Sequence, residues 1–139
     1  MDAGERLAAI ARHFHLDAVY VFGSRAGEVS ASVARRAPLT AGRSDIDIGV
    51  LPEPRQHLDA RQRVDLVLEL EDLFEGARVD LVVLPEAPAM LAADIVSGEL
   101  LVAENRLREA EYQLYALRRA ADLAPFERER RAIVLGGGR

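Results

Sequence analysis

With 139 residues, half of them hydrophobic, the chain is expected to form one domain with a substantial core. A net charge of −5 argues against a surface that captures nucleic acid by charge alone, and the absence of cysteine excludes disulfides and thiolate metal sites. No apolar run is long enough to span a bilayer and no charged-then-apolar leader opens the sequence, so the expected location is the cytoplasm.

Asp2 is placed to cap a first helix, in which Leu7, Ile10, Ala11 and Phe14 recur at helical spacing up to about His15. His13 and His15 flank Phe14 at that end and read as solvated capping residues rather than metal ligands. A first strand follows from about Asp17 to Phe22 and runs into Gly23-Ser24-Arg25. A glycine after a β-rich run lets the backbone turn sharply and approach a ligand closely. The Ser24 hydroxyl can then meet a phosphate oxygen. Alone, a Gly-Ser pair marks an ordinary turn.

The stretch from about Val29 to Ala41 is rich in alanine, serine and arginine and reads as a surface loop or short helix. Across this region Arg25, Arg35, Arg36 and Arg43 stand against Glu28 alone. Arg35 and Arg36 are best read as solvated charges, while Arg25 and Arg43, beside the motif ends, are open to phosphate contact.

Ser44-Asp45-Ile46-Asp47-Ile48-Gly49-Val50 is the second strand. Side chains alternate along a strand, so Ile46, Ile48 and Val50 can enter a core while Asp45, Asp47 and Gly49 face the other way. The two aspartates then lie about 7 Å apart at Cα, from a rise of roughly 3.3 Å per residue. Like charges so close invite a divalent cation, and carboxylate oxygens suit Mg²⁺ that shares phosphate oxygens with a nucleotide.

Leu51-Pro52-Glu53-Pro54 ends that strand, since proline blocks helix and ladder alike. A helix is predicted from about His57 to Glu75, with Leu66, Val67, Leu70, Leu73 and Phe74 as its apolar stripe and Gly76 just past its end. Arg78 to Leu84 is a third strand carrying one acid, Asp80, among aliphatic residues. Taken singly, Asp80 reads as an exposed strand-start residue or a partner of Arg78. Beside Asp45 and Asp47 it becomes a third metal ligand, and three carboxylates can hold two metals that align a hydroxyl with a triphosphate. Pro85 and Pro88 break the chain again, then come a short helix over Ala89–Val96 and a short strand over Leu100–Val102. Arg106 to Asp122 is a helix whose stripe is Leu107, Ala110, Leu114, Leu117 and Ala121, able to dock on the domain or on a partner helix. Tyr112 and Tyr115, beside that stripe, are assigned to packing. Residues 126–135 can extend the helix, and the glycine-rich end reads as frayed.

Gly23-Ser24 followed by Asp45-x-Asp47, with Asp80 on a later strand, resembles the nucleotidyltransferase superfamily that includes DNA polymerase β. Phe22-Gly23-Ser24-Arg25-Ala26 and Ser44-Asp45-Ile46-Asp47-Ile48 are most similar to its minimal nucleotidyltransferases (the MNT family), over roughly Leu16 to Leu84. The resemblance implies an α/β (α+β) nucleotidyltransferase fold, a small mixed sheet flanked by helices. The domain would cover 1–104, with an insertion at about 29–41 and a C-terminal helical extension over 105–139. It implies that Gly23 and Ser24, with Arg25 and Ser44 beside them, hold the nucleotide. Asp45 and Asp47 would bind two Mg²⁺ ions, and Asp80 would complete the one that activates the acceptor. The implied activity is transfer of AMP from ATP to a protein hydroxyl, and the implied partner is a HEPN-type toxin that the chain neutralises as an antitoxin. In this chain twenty residues, Arg25 to Ser44, separate Gly-Ser from Asp-x-Asp where about ten are usual, which a loop insertion accommodates at about 0.6 kcal/mol per doubling. Two other readings are weighed: a non-catalytic antitoxin or binding module acting by occlusion, and a small-molecule nucleotidyltransferase, for which the chain has little room. A homo-oligomer is left open.

Overall fold

A computed structural model describes residues 1–34 and 45–136. The expectations for Arg35, Arg36, Arg43, Ser44 and residues 137–139 fall outside the described residues.

Helix α1 (Ala3–His13) starts at Asp2, whose side chain accepts from the Glu5 backbone N–H while Glu5 reaches back to the Asp2 N–H. Strand β1 (Leu16–Phe22) is followed by α2 (Ala26–Val33), then by β2 (Ile46–Pro52). Helix α3 (Ala60–Leu73) begins later than the periodicity predicts, because Asp59 and Gln62 form its capping box and fix its first turn there. Strand β3 (Val79–Val83), a 3₁₀ turn over Leu84–Glu86, helix α4 (Ala89–Val96), strand β4 (Glu99–Ala103) and helix α5 (Arg106–Gly136) complete the chain. Helix α5 runs on past Asp122 and carries Pro125 inside it. Among the described residues no helix is long and apolar enough to cross a membrane.

The four strands form one mixed sheet in the order β3-β2-β1-β4. β1 is antiparallel to both β2 and β4, and β2 is parallel to β3. The alternation read from the sequence is the alternation observed. Val19, Val21, Ile46, Ile48, Val50, Val79 and Val83 point to one face, under Leu7, Ile10, Leu66 and Leu70 of α1 and α3. Ala18, Tyr20, Leu51 and Leu84 serve the other face, under Ala92, Ile95 and Val96 of α4 and Tyr112 and Ala116 of α5. The result is three layers, helices on both faces of a sheet.

Two packing expectations change. Val29, placed in the surface insertion, is fully buried, so α2 is anchored in the core. The docked face of α5 is Tyr112, Ala116 and Ala120, not the leucine stripe: Leu107 is 71% exposed, Leu114 56% and Leu117 41%. Tyr112 wins because it fills the second half-core and its hydroxyl donates to the Leu84 carbonyl at 3.1 Å. Tyr115 is exposed.

Candidate active site

Phe22 pairs with Asp47 across β1 and β2, and Asp47 pairs with Asp80 across β2 and β3. One row perpendicular to the strands thus carries Phe22, Asp47 and Asp80. Because β2 and β3 run parallel while β1 runs against them, this row joins the C-terminal end of β1 to the N-terminal ends of the other two. Gly23 and Ser24 leave the sheet at that edge, both exposed. Asp45 precedes β2 by one residue and, two positions from Asp47, shares its face.

Gly23 adopts φ +79°. A β-carbon on it would overlap Asp47 Oδ2. The turn therefore passes against the carboxylate as closely as only a glycine allows. One pleat along from Asp47 lies Gly49, where a β-carbon would meet Ile95 Cγ2 at 2.5 Å. The seat of α4 on Gly49 covers the sheet up to that point and leaves Asp47 half-buried and Asp80 exposed at the rim.

Burial, then the neighbouring charges of Asp80 and Asp45, push the Asp47 carboxyl above its usual range. The three acids are thus one electrostatic unit. Hard oxygen donors whose charges converge on Asp47 fit a hard divalent cation. Among the described residues no group of three or more His, Cys, Asp or Glu is arranged to hold a metal ion on its own. A cation there would need oxygen donors besides these carboxylates.

Arg25 is buried at 6% exposure, and its Nε donates to Glu28 Oε1 at 2.7 Å. The guanidinium thus braces the turn from inside, before α2. Glu28, in the sequence only the lone acid among these arginines, is the partner of Arg25, and the three-residue spacing at a helix start is its signal. A cavity of about 580 Å³ lies on the opposite face of the sheet, between α1 and α3, lined by Arg6, Ile10, His13 and Leu68. It contains none of the three aspartates.

The model of the polymerase beta nucleotidyltransferase family matches residues 5–107. No curated protein matches the chain. Solved structures share its fold. One is a toxin–antitoxin complex with AMP-PNP (TM-score 0.66, 23% identity, 98% of each chain covered). Another is the toxin–antitoxin pair MntA–HepT (TM-score 0.65, 23% identity, 99% of this chain and 97% of that one). A third is the tri-AMPylated HEPN toxin of Shewanella oneidensis in complex with an MNT antitoxin (TM-score 0.65, 24% identity, 99% and 97%). At these identities the likeness is one of fold, whereas the family model spans well over half the sequence. The chain belongs to the polymerase beta nucleotidyltransferase family.

Proposed function

We propose that the chain transfers AMP from ATP to a hydroxyl of a partner protein, and that it is the MNT antitoxin of a cytoplasmic HEPN toxin–antitoxin pair. The observation that carries this reading is the pairing of Asp47 with Asp80 across β2 and β3, with Asp45 on the same face and the Gly23 turn packed against Asp47. Family membership supplies the reaction class, and the fold is shared with complexes of MNT antitoxin and HEPN toxin, one holding AMP-PNP and one a tri-AMPylated toxin.

The nucleotidyltransferase domain is read as 1–104 and the remainder as its helical extension. Gly23, lacking a β-carbon, gives the triphosphate room to approach the carboxylates, and the hydroxyls of Ser24 and Ser44 meet its oxygens. Arg25, paired with Glu28, holds the turn in place beside that site. In the transfer, the acceptor oxygen bonds to the α-phosphorus, the bond to the β-phosphate bridging oxygen breaks, and pyrophosphate leaves. The acceptor's proton goes to a site carboxylate, and Asp80, exposed at the rim, is the one an incoming protein can reach. Asp45, Asp47 and Asp80 are the residues to hold Mg²⁺, which would supply neutralisation of the carboxylates and polarisation of the phosphate.

The test incubates the chain with labelled ATP, Mg²⁺ and a co-purified helical partner. Label is expected on the partner and lost by about a hundredfold or more in Asp45→Asn or Asp80→Asn, as when a charge-stabilising group is removed. Undiminished labelling in both variants would falsify the assignment. The long spacing between Ser24 and Asp45 motivates occlusion as the second reading. An Asp45→Asn/Asp47→Asn chain that binds the toxin and still protects against it would establish that reading.

A further inference from the structure

On α5 the residues Leu107, Ala110, Leu114, Leu117, Ala121 and Ala124 recur with alternating spacings of three and four. That is the seam of a coiled coil, in a and d positions. The seam ends at Ala124, next to Pro125, where the helix loses a backbone hydrogen bond. Its three leucines are exposed. The buried face of the same helix, Tyr112, Ala116 and Ala120, lies roughly a third of a turn away at 100° per residue. The helix is already fixed to its own domain by Tyr20–Glu109, by Tyr112 to the Leu84 carbonyl at 3.1 Å and by Gln113 to the Val96 carbonyl at 3.0 Å. A partner on the seam therefore does not have to order it.

The seam is self-complementary when reversed. Set antiparallel with Leu114 against Leu117 of a second copy, Ala110 meets Ala121 and Leu107 meets Ala124. Each layer holds two leucines, a leucine and an alanine, or two alanines. The flanking row on one side carries Glu111 and Arg118, both exposed and one heptad apart. In the same register Glu111 of one helix lies beside Arg118 of the other, and the two-fold axis repeats the pair. We propose that the outer face of α5 is a homodimer interface, formed with a second copy of this chain in antiparallel register centred between Leu114 and Leu117. The contact is isologous, so it closes at two copies. This surface is separate from the carboxylates at the sheet edge, and the proposal stands independently of the reaction assigned to them.

The test is sedimentation of the full chain across a concentration series. A reversible dimer is expected, abolished by Leu114→Glu, an exposed position where the substitution leaves the core untouched. Glu111→Arg and Arg118→Glu each place like charges opposite one another and are expected to weaken the dimer by about tenfold or more. Mixing these two variants restores opposite charges at both contacts, so the mixture dimerises more tightly than either variant alone. A chain that sediments as a monomer up to the solubility limit overturns the proposal. So does a dimer indifferent to Leu114→Glu, or a mixture of the two charge variants that stays monomeric. Binding of an all-helical partner that Leu114→Glu abolishes, with no self-association of the chain, would assign the seam to that partner instead.

Discussion

The absent β-carbon of Gly23 sets how near the turn after β1 can come to Asp47. Gly23→Ala meets two obstacles at once: the new methyl overlaps Asp47 Oδ2, and φ +79° lies in the region that side chains with a β-carbon avoid. Relief requires the turn or the carboxylate to move, and either shifts Ser24, proposed to meet the phosphates, relative to the acids. We expect Gly23→Ala to destabilise the fold by about 1–2 kcal/mol and to cut transfer by about a hundredfold or more, since small misplacements in such sites carry large kinetic costs. Urea unfolding and the labelling reaction measure the two effects, and a variant with full activity would show that the close approach is incidental. Much of this site was legible because strand geometry fixes side-chain direction. An Asp-x-Asp between isoleucines must put both acids on one face, and Asp80 joins them once β3 pairs with β2 in register. The inward turn of Arg25 was not legible. It depends on α2 packing Val29 into the core, which brings Glu28 to the guanidinium.

At the scale of elements, the start of β1 is tied to α5. The Asp17 carbonyl accepts from Glu104 and Asn105 at 2.8 and 3.2 Å. Its carboxylate, 4% exposed, lies 3.6 Å from Arg108 Nε, too long for a hydrogen bond, and both atoms lack another partner among the described residues. Burial raises the Asp17 carboxyl above its usual range; Arg108 opposes that shift and Glu53 adds to it. The sign of the linkage follows. Between the ordinary carboxylate value and the raised one, the folded chain holds a proton that the unfolded chain has released. Stability from this group is therefore complete below the ordinary value and is lost as pH rises through the folded value. Removing the arginine takes away the opposing charge, so Arg108→Ala is expected to extend that loss to higher pH. At neutral pH it should cost about 1–3 kcal/mol, the usual penalty for leaving a buried polar group without its partner. Unfolding measured from about pH 4 to 8 on the parent, Arg108→Ala and Arg108→Ala/Asp17→Asn checks this, a window that opens near the ordinary aspartate value and extends above it. The double variant should be flat where the single one slopes, and parallel curves for all three would remove Asp17 as the cause.

The whole molecule is a sheet with two half-cores, and the sequence displays them unequally. The half under α1 and α3 is written in local patterns: alternating β-branched residues in the strands and helical stripes with capping boxes. Those patterns specify element, face and layer from neighbours in sequence. The other half is assembled from distant pieces. Tyr20 of β1 reaches Glu109, Leu84 offers its carbonyl to Tyr112, and α4 rests on a glycine of β2. Nothing periodic in α5 announces which side docks, since the leucines form the more regular stripe and the tyrosine–alanine side is the one that fits. The two sides therefore make opposite predictions. Tyr112→Ala removes a 7%-exposed ring and the Leu84 hydrogen bond, leaving a cavity in the second half-core, with an expected cost of about 3 kcal/mol. Leu114→Ala trims an exposed side chain and is expected to stay within about 0.5 kcal/mol. Urea unfolding at a concentration low enough to keep the chain monomeric separates this effect from any association through the leucines. Equal costs at the two positions would mean that α5 packs through its leucine side, and the layer built on Tyr112 would have to be redrawn.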